Sequence, residues 1–190
     1  ENKIEPSQLV NVYRTVATSY IDSFRYDEAK ILLEKGIRLL SPIVDSDWTT
    51  YDTTVKLQQM PELQIEDKTT MPLMLALTRT ALLKNLNPYI DLLSEMINVA
   101  THSNEIDKYY NEVMLWIDKL DQVQENSRNT SLLRSTIEYA YGMSLYSAEK
   151  YMDAFERFDN SFNLKYDYIQ SIDSYGRKDT YQEYRLMEIY

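Results

Sequence analysis

Residues Ser135 to Tyr168 read STIEYAYGMSLYSAEKYMDAFERFDNSFNLKYDY, and this stretch limits the fold more than any other. Gly142 falls on a first helix, and Ala154 and Ser161 fall on a second. Small side chains let two helix axes approach closely, so these positions mark a crossing point. Leu145, Tyr151 and Phe158 supply bulk around it. Ala154, Phe158 and Phe162 step by four, and Phe155 lies one turn before Phe158. The second helix therefore carries one broad apolar face.

A second copy of the pattern lies near the start, in VNVYRTVATSYIDSFRYDEAKILLEKGIRLLSP. Ala17, Tyr20, Ala29, Leu33 and Gly36 take the places of Gly142, Leu145, Ala154, Phe158 and Ser161. The turn FRYDEA parallels EKYMDA. Tyr13 occupies a position where the later copy has Glu138, and Pro42 falls close to the place of Tyr166 in the later copy. The order small, large, Ala, large, small resembles the tetratricopeptide repeat, whose period is about 34 residues. Glu138 and Tyr166 depart from that family's large apolar residue and closing Pro. The resemblance implies an all-α fold of stacked antiparallel hairpins in a right-handed superhelix, ending in a C-terminal capping helix.

Composition agrees with helix. There are 3 Gly and 5 Pro in 190 residues, and no Pro follows Pro88. Leu, Ala, Glu, Lys, Met and Gln favour helices. Tyr numbers 17, more than half of them from Tyr139 onward. Such rings either pack helix seams with the hydroxyl in water or form an aromatic binding surface. The net charge of −10 argues against binding phosphate backbones or anionic membranes. With 0 Cys there is no thiolate metal site and no disulfide frame. The longest uncharged run, Thr69 to Thr78, is too short to span a bilayer. No secretory signal is visible, which favours the cytoplasm. The start at Glu1 rather than Met leads us to expect a processed or excised piece.

One domain over residues 1–190 is expected, with hairpins near 10–43 and 135–168. Pro6 opens a helix to about Phe24, and its partner runs from about Tyr26 to Leu40. Ser41-Pro42 then stops the pair. Residues 43–69 read as an irregular connection with a short helix near Thr54 to Met60, anchored by Trp48. Thr70 caps a helix over Met71 to Lys84, the most apolar in the chain and so expected to be central. Asn87-Pro88 opens another to Ala100. After the polar THSN, a helix over Glu105 to Gln124 puts Tyr109, Val113, Trp116, Ile117 and Leu120 on one face. Asn129-Thr130-Ser131 is formally a glycosylation sequon. Beyond the late hairpin, helices are expected near Tyr166 to Tyr175 and, past Gly176, over Thr180 to Tyr190.

Signatures of chemistry are sparse. His102 is the sole His and sits in a polar break, so zinc constellations and a Ser-His-Asp set lack members. The Gly are isolated, so there is no phosphate-cradling loop. Asp118 and Asp121 share a helix face without a calcium-loop spacing. Neither a catalytic role, a metal nor a cofactor is expected.

The family resemblance implies a groove lined by the first helix of each hairpin, holding a peptide or partner protein. Its lining would be Asn11, Arg14, Thr18 and Ile21 in the early copy. In the late copy it would be Thr136, Tyr139, Met143 and Tyr146. Arg14 would hold a peptide carboxylate. In length, low Gly, Tyr-rich helices and capping tail the chain is also similar to the C-terminal part of Gram-positive peptide-pheromone regulators. That likeness implies a ligand-sensing domain of a transcription regulator. An exported adaptor lipoprotein is a further alternative.

Overall fold

A computed structural model describes residues 4–60, 65–100, 103–124 and 128–173. It contains α1 (Pro6–Asp22), α2 (Tyr26–Gln58), α3 (Ile65–Val99), α4 (Ser103–Val123), α5 (Arg128–Ser147) and α6 (Tyr151–Asp173). No strand occurs among the described residues. The fold is all-α. Residues 1–190, expected as one domain, divide into two compact units, Glu1–Val123 and Gln124–Tyr190.

Two turns are built alike. In the first, the Arg25 amide donates to the Tyr20 carbonyl at 2.8 Å and the Phe24 amide to Ile21 at 2.9 Å. In the second, Lys150 donates to Leu145 and Glu149 to Tyr146, both at 3.0 Å. This is the six-to-one and five-to-two bonding that closes a helix with one left-handed residue. Phe24 (φ 58°) and Glu149 (φ 60°) are those residues. The following helix starts the same way in both, with Ala29 bonded to Arg25 and Ala154 to Lys150. The parallel between FRYDEA and EKYMDA is thus a parallel of backbone hydrogen bonds.

In the first unit the helices alternate in direction. Glu5, which precedes α1, and Arg14 and Thr18 within it meet Lys84, Asp91 and Glu95 of α3 in rising order, so α1 and α3 run parallel. Lys30 reaches Glu105 and Trp48 reaches Lys119, so α2 and α4 also run parallel. Asn85 bonds Asp47 while Leu92 lies against Gly36, which makes α2 and α3 antiparallel. The small residues are where their size allows: Ala17 of α1 and Ala29 of α2 are both fully buried.

The irregular connection expected over 43–69 is helix as far as Gln58, and Ser41-Pro42 does not end α2. An interior Pro costs about 3 kcal/mol. Beyond it, however, Val44 and Tyr51 continue the buried stripe of Leu33 and Leu40. Each such side chain is worth about 1.5–3 kcal/mol when buried, so stopping at Pro42 would forfeit more than the ring costs. Pro88 is crossed for the same reason. It lies among Leu86, Tyr89, Ile90, Leu92, Leu93, Met96 and Ile97, all within 1% of full burial, and α3 is one helix rather than two. These residues are the longest buried stretch of α3 among the described residues. The stretch expected to be central, Met71 to Lys84, instead exposes Leu73, Met74 and Leu77, while Met71 and Leu82 are buried.

The α4 face behaves as its periodicity implies. Tyr109, Val113, Trp116, Ile117 and Leu120 are all buried. Trp116 meets the Tyr89 ring edge-on at 5.8 Å, and the Tyr89 hydroxyl donates to Glu112 at 2.5 Å. Nearby, the Lys119 ammonium lies 3.8 Å from the Trp116 ring centre and 5.0 Å from that of Trp48.

In the second unit α5 and α6 are antiparallel, with Ser135 opposite Ser161 and Tyr146 opposite Tyr151. No break occurs near Tyr166, where α6 continues to Asp173. Gly176, the expected capping helix over Thr180 to Tyr190 and His102 lie outside the described residues, as does the side chain of Asn129.

Candidate functional site

All four late-copy residues face one hollow. Thr136, Tyr139, Met143 and Tyr146 line a cavity of about 590 Å³ beside the α5–α6 seam. They fall together because they recur at three- and four-residue steps along α5. The opposite wall comes from α6, with Phe158, Phe162 and Lys165. The Tyr139 and Phe158 ring centres are 5.6 Å apart, and Tyr146 meets Tyr151 edge-on at 5.3 Å. Tyr139, Met143 and Tyr146 are each roughly half exposed, at 44%, 43% and 55%. Large rings and a thioether therefore stand in water along one groove.

The groove floor is made by close approach of the two helices. The Ser135 hydroxyl donates to the Ser161 carbonyl and the Ser161 hydroxyl to the Ser135 carbonyl, each at 2.8 Å. Both hydroxyls are buried, and the reciprocal bonds satisfy them without a larger side chain. Two turns on along α5, Gly142 leaves room for the Phe158 ring. Behind this seam lies Glu138, which departs from the family pattern. It is buried, and Arg157 of α6 answers it at 3.4 Å while lying over the Tyr141 ring. A cation from the neighbouring helix thus takes the place of apolar contact.

The early-copy residues form a different surface. Asn11, Arg14 and Thr18 line a polar hollow of about 470 Å³ with Thr15, Ser19 and Asp22, and Ile21 is not part of it. Arg14 is already engaged. Its guanidinium contacts Asp91 and donates from Nε to Glu95 at 2.9 Å. Burial pushes the carboxyls of Asp91 and Glu95 above their ordinary range, against the pull of Arg14. The carboxylates that Arg14 holds are the chain's own, from α3.

The α6 wall was not among the expected lining residues. Its signal was present in the four-residue step from Phe158 to Phe162, which places both rings on one face. Leu132 and Lys165 carry no comparable signal.

Among the described residues no three His, Asp or Glu side chains gather at metal-binding distances. Nor is any described helix long and apolar enough to cross a membrane. No family model, curated protein or solved structure matches the chain.

Proposed function

We propose that the chain is a non-enzymatic helical-repeat module that binds a peptide or protein segment in the α5–α6 groove. The observation that carries this reading is the continuous line of half-exposed Tyr139, Met143 and Tyr146 facing Phe158 and Phe162. Aromatic and Met side chains supply most of the contact energy in peptide grooves, and Met adapts to different partners. An amphipathic helix or an extended apolar segment is the occupant that such a groove fits. The matched turns at Phe24 and Glu149 support a tetratricopeptide-like repeat, for which right-handed superhelical stacking is the expected arrangement. The polar hollow at Arg14 is the weaker candidate, because Asp91 and Glu95 already neutralise its cation.

Selection of a displayed helical-peptide library on the full chain tests the reading. Binders should lose affinity about tenfold or more with Met143→Glu or Tyr139→Glu, since an unpaired charge against rings costs more than about 1.4 kcal/mol. Asn11→Asp should leave them unchanged. Selected peptides indifferent to both groove substitutions would remove α5–α6 as the binding site.

A further inference from the structure

We propose that the α5–α6 groove takes a proline-rich segment in the polyproline II conformation. The inference rests on the reading of this groove as a peptide site and names the class of peptide. The groove's hydroxyls carry it. Ser135 and Ser161 spend theirs on each other's carbonyls, and Thr136 donates to the Leu132 carbonyl at 3.0 Å. Tyr139 and Tyr146 differ. Among the described residues neither phenol has a hydrogen-bond partner, and both side chains stand about half in water. The groove thus offers two phenol donors beside apolar walls.

A bound α-helix makes little use of such donors, because its carbonyls are bonded within itself. An added strand needs an open sheet edge, and no strand occurs among the described residues. A polyproline II segment has no internal hydrogen bonds, so its carbonyls remain acceptors. Proline carries no N–H, so the segment asks for donors and offers none in return. A tyrosine meets both demands: its ring packs on the pyrrolidine and its hydroxyl donates to a carbonyl.

Spacing agrees with the assignment. Tyr139 and Phe158 form one aromatic notch, with ring centres 5.6 Å apart. Tyr146 and Tyr151 form a second, at 5.3 Å. Tyr139 and Tyr146 lie two turns apart on α5, about 10.5 Å at helical rise. One turn of polyproline II advances about 9.3 Å, and every third residue projects from the same side. Prolines at every third position would therefore each reach one notch, with Met143 between them. From Leu132 to Tyr146 the groove is about 21 Å long, room for about seven residues of such a segment. Lys165 is the one charged residue of the lining, which suits an uncharged ligand. A proline-rich chain is also extended before it binds, so little further ordering opposes its capture.

Fluorescence anisotropy of labelled decaproline titrated with the full chain tests this, with a glycine–serine peptide of equal length as control. Decaproline should bind saturably and the control should not. Tyr139→Phe together with Tyr146→Phe keeps both rings and removes both hydroxyls. This double variant should weaken decaproline about tenfold. Its melting curve should match the parent's, because the lost hydroxyls have no partner within the described chain. No saturable binding of decaproline, or equal affinity in the double variant, would overturn the proposal. The peptide selection is read separately. Should selected helical peptides depend on Met143 while decaproline fails to bind, only the ligand class is lost and the peptide groove stands. Should decaproline bind yet ignore both Met143→Glu and the double variant, its site lies elsewhere and the proline assignment falls.

Discussion

A Cβ added to Gly142 on α5 would lie 2.6 Å from Cε1 of Phe158 on α6, nearer than two such atoms ever rest. The same addition to Gly36 meets the end of the Leu92 side chain, Cδ1, at 2.8 Å. Gly142 lies on the first helix of its hairpin and Gly36 on the second of its own, and each faces a large side chain of another helix. Replacing Gly by Ala in a helix gains about 1 kcal/mol of propensity. Gly142→Ala must push a packed ring aside, and overpacking costs about 1–3 kcal/mol. Its denaturation midpoint should fall, and that of Gly36→Ala should fall too, because Leu92 is fully buried and has no open space to turn into. A midpoint raised in both variants would contradict the close approach of these helices.

Phe24 and Glu149 each hold a left-handed backbone that costs a side-chain-bearing residue about 1–2 kcal/mol. Glycine adopts it without that penalty. Glu149→Gly should therefore raise stability by up to about 1 kcal/mol, measured by chemical denaturation. Phe24→Gly should gain less, because Phe24 also meets the Tyr26 ring edge-on at 6.3 Å. A loss in Glu149→Gly would mean that the turn is held by something other than its backbone bonds.

What could be read in advance follows from what side-chain size and local spacing express. Ala17, Ala29 and Ala154 are buried because a close helix crossing needs small residues, and that need is visible in one hairpin. The four α5 groove residues follow from helical spacing together with the family resemblance. Helix ends at Pro42 and Pro88 were misplaced because the decisive terms lie elsewhere. Whether a helix crosses Pro depends on how much its continuation buries, and that burial is made against other helices. Leu73, Met74 and Leu77 are apolar but exposed, since composition does not say on which side a neighbour will lie. Arg14 finds its partners 77 and 81 residues away on α3, beyond any local rule.

Glu138 and Arg157 form the charged contact behind the α5–α6 seam. Removing one member of a buried pair takes a compensating charge from the other. Arg157→Ala should destabilise the chain by about 1–3 kcal/mol. Adding Glu138→Gln to it should restore part of the loss, because the neutral amide is easier to bury. A double-mutant cycle reads the coupling, and additive effects would mean that the two side chains act independently.

Asp91 and Glu95 give a pH dependence opposite to that of an ordinary salt bridge. Burial holds both folded values above the ordinary ones, 3.8 for Asp91 and 4.5 for Glu95. Their contribution is fully present below those ordinary values and is lost as pH rises through the raised ones. From neutrality down to about pH 4 these two groups should therefore add stability. Asp91→Asn with Glu95→Gln should flatten that component, read as the difference in denaturant midpoint between variant and parent across the window. A difference that runs the opposite way, with the pair losing stability as pH falls, would mean that Arg14, not burial, governs the pair.

The sandwich of Lys119 between Trp48 and Trp116 has an optical consequence. Both indoles of the chain belong to the unit Glu1–Val123, and the unit from Gln124 onward contains none. Excitation at the red edge of the absorption band therefore lights one half of the molecule only. Circular dichroism, by contrast, sums over every helix. Superimposing the two melting curves weighs the cooperativity between the halves without any label, and a gap between them is a direct reading of their independence.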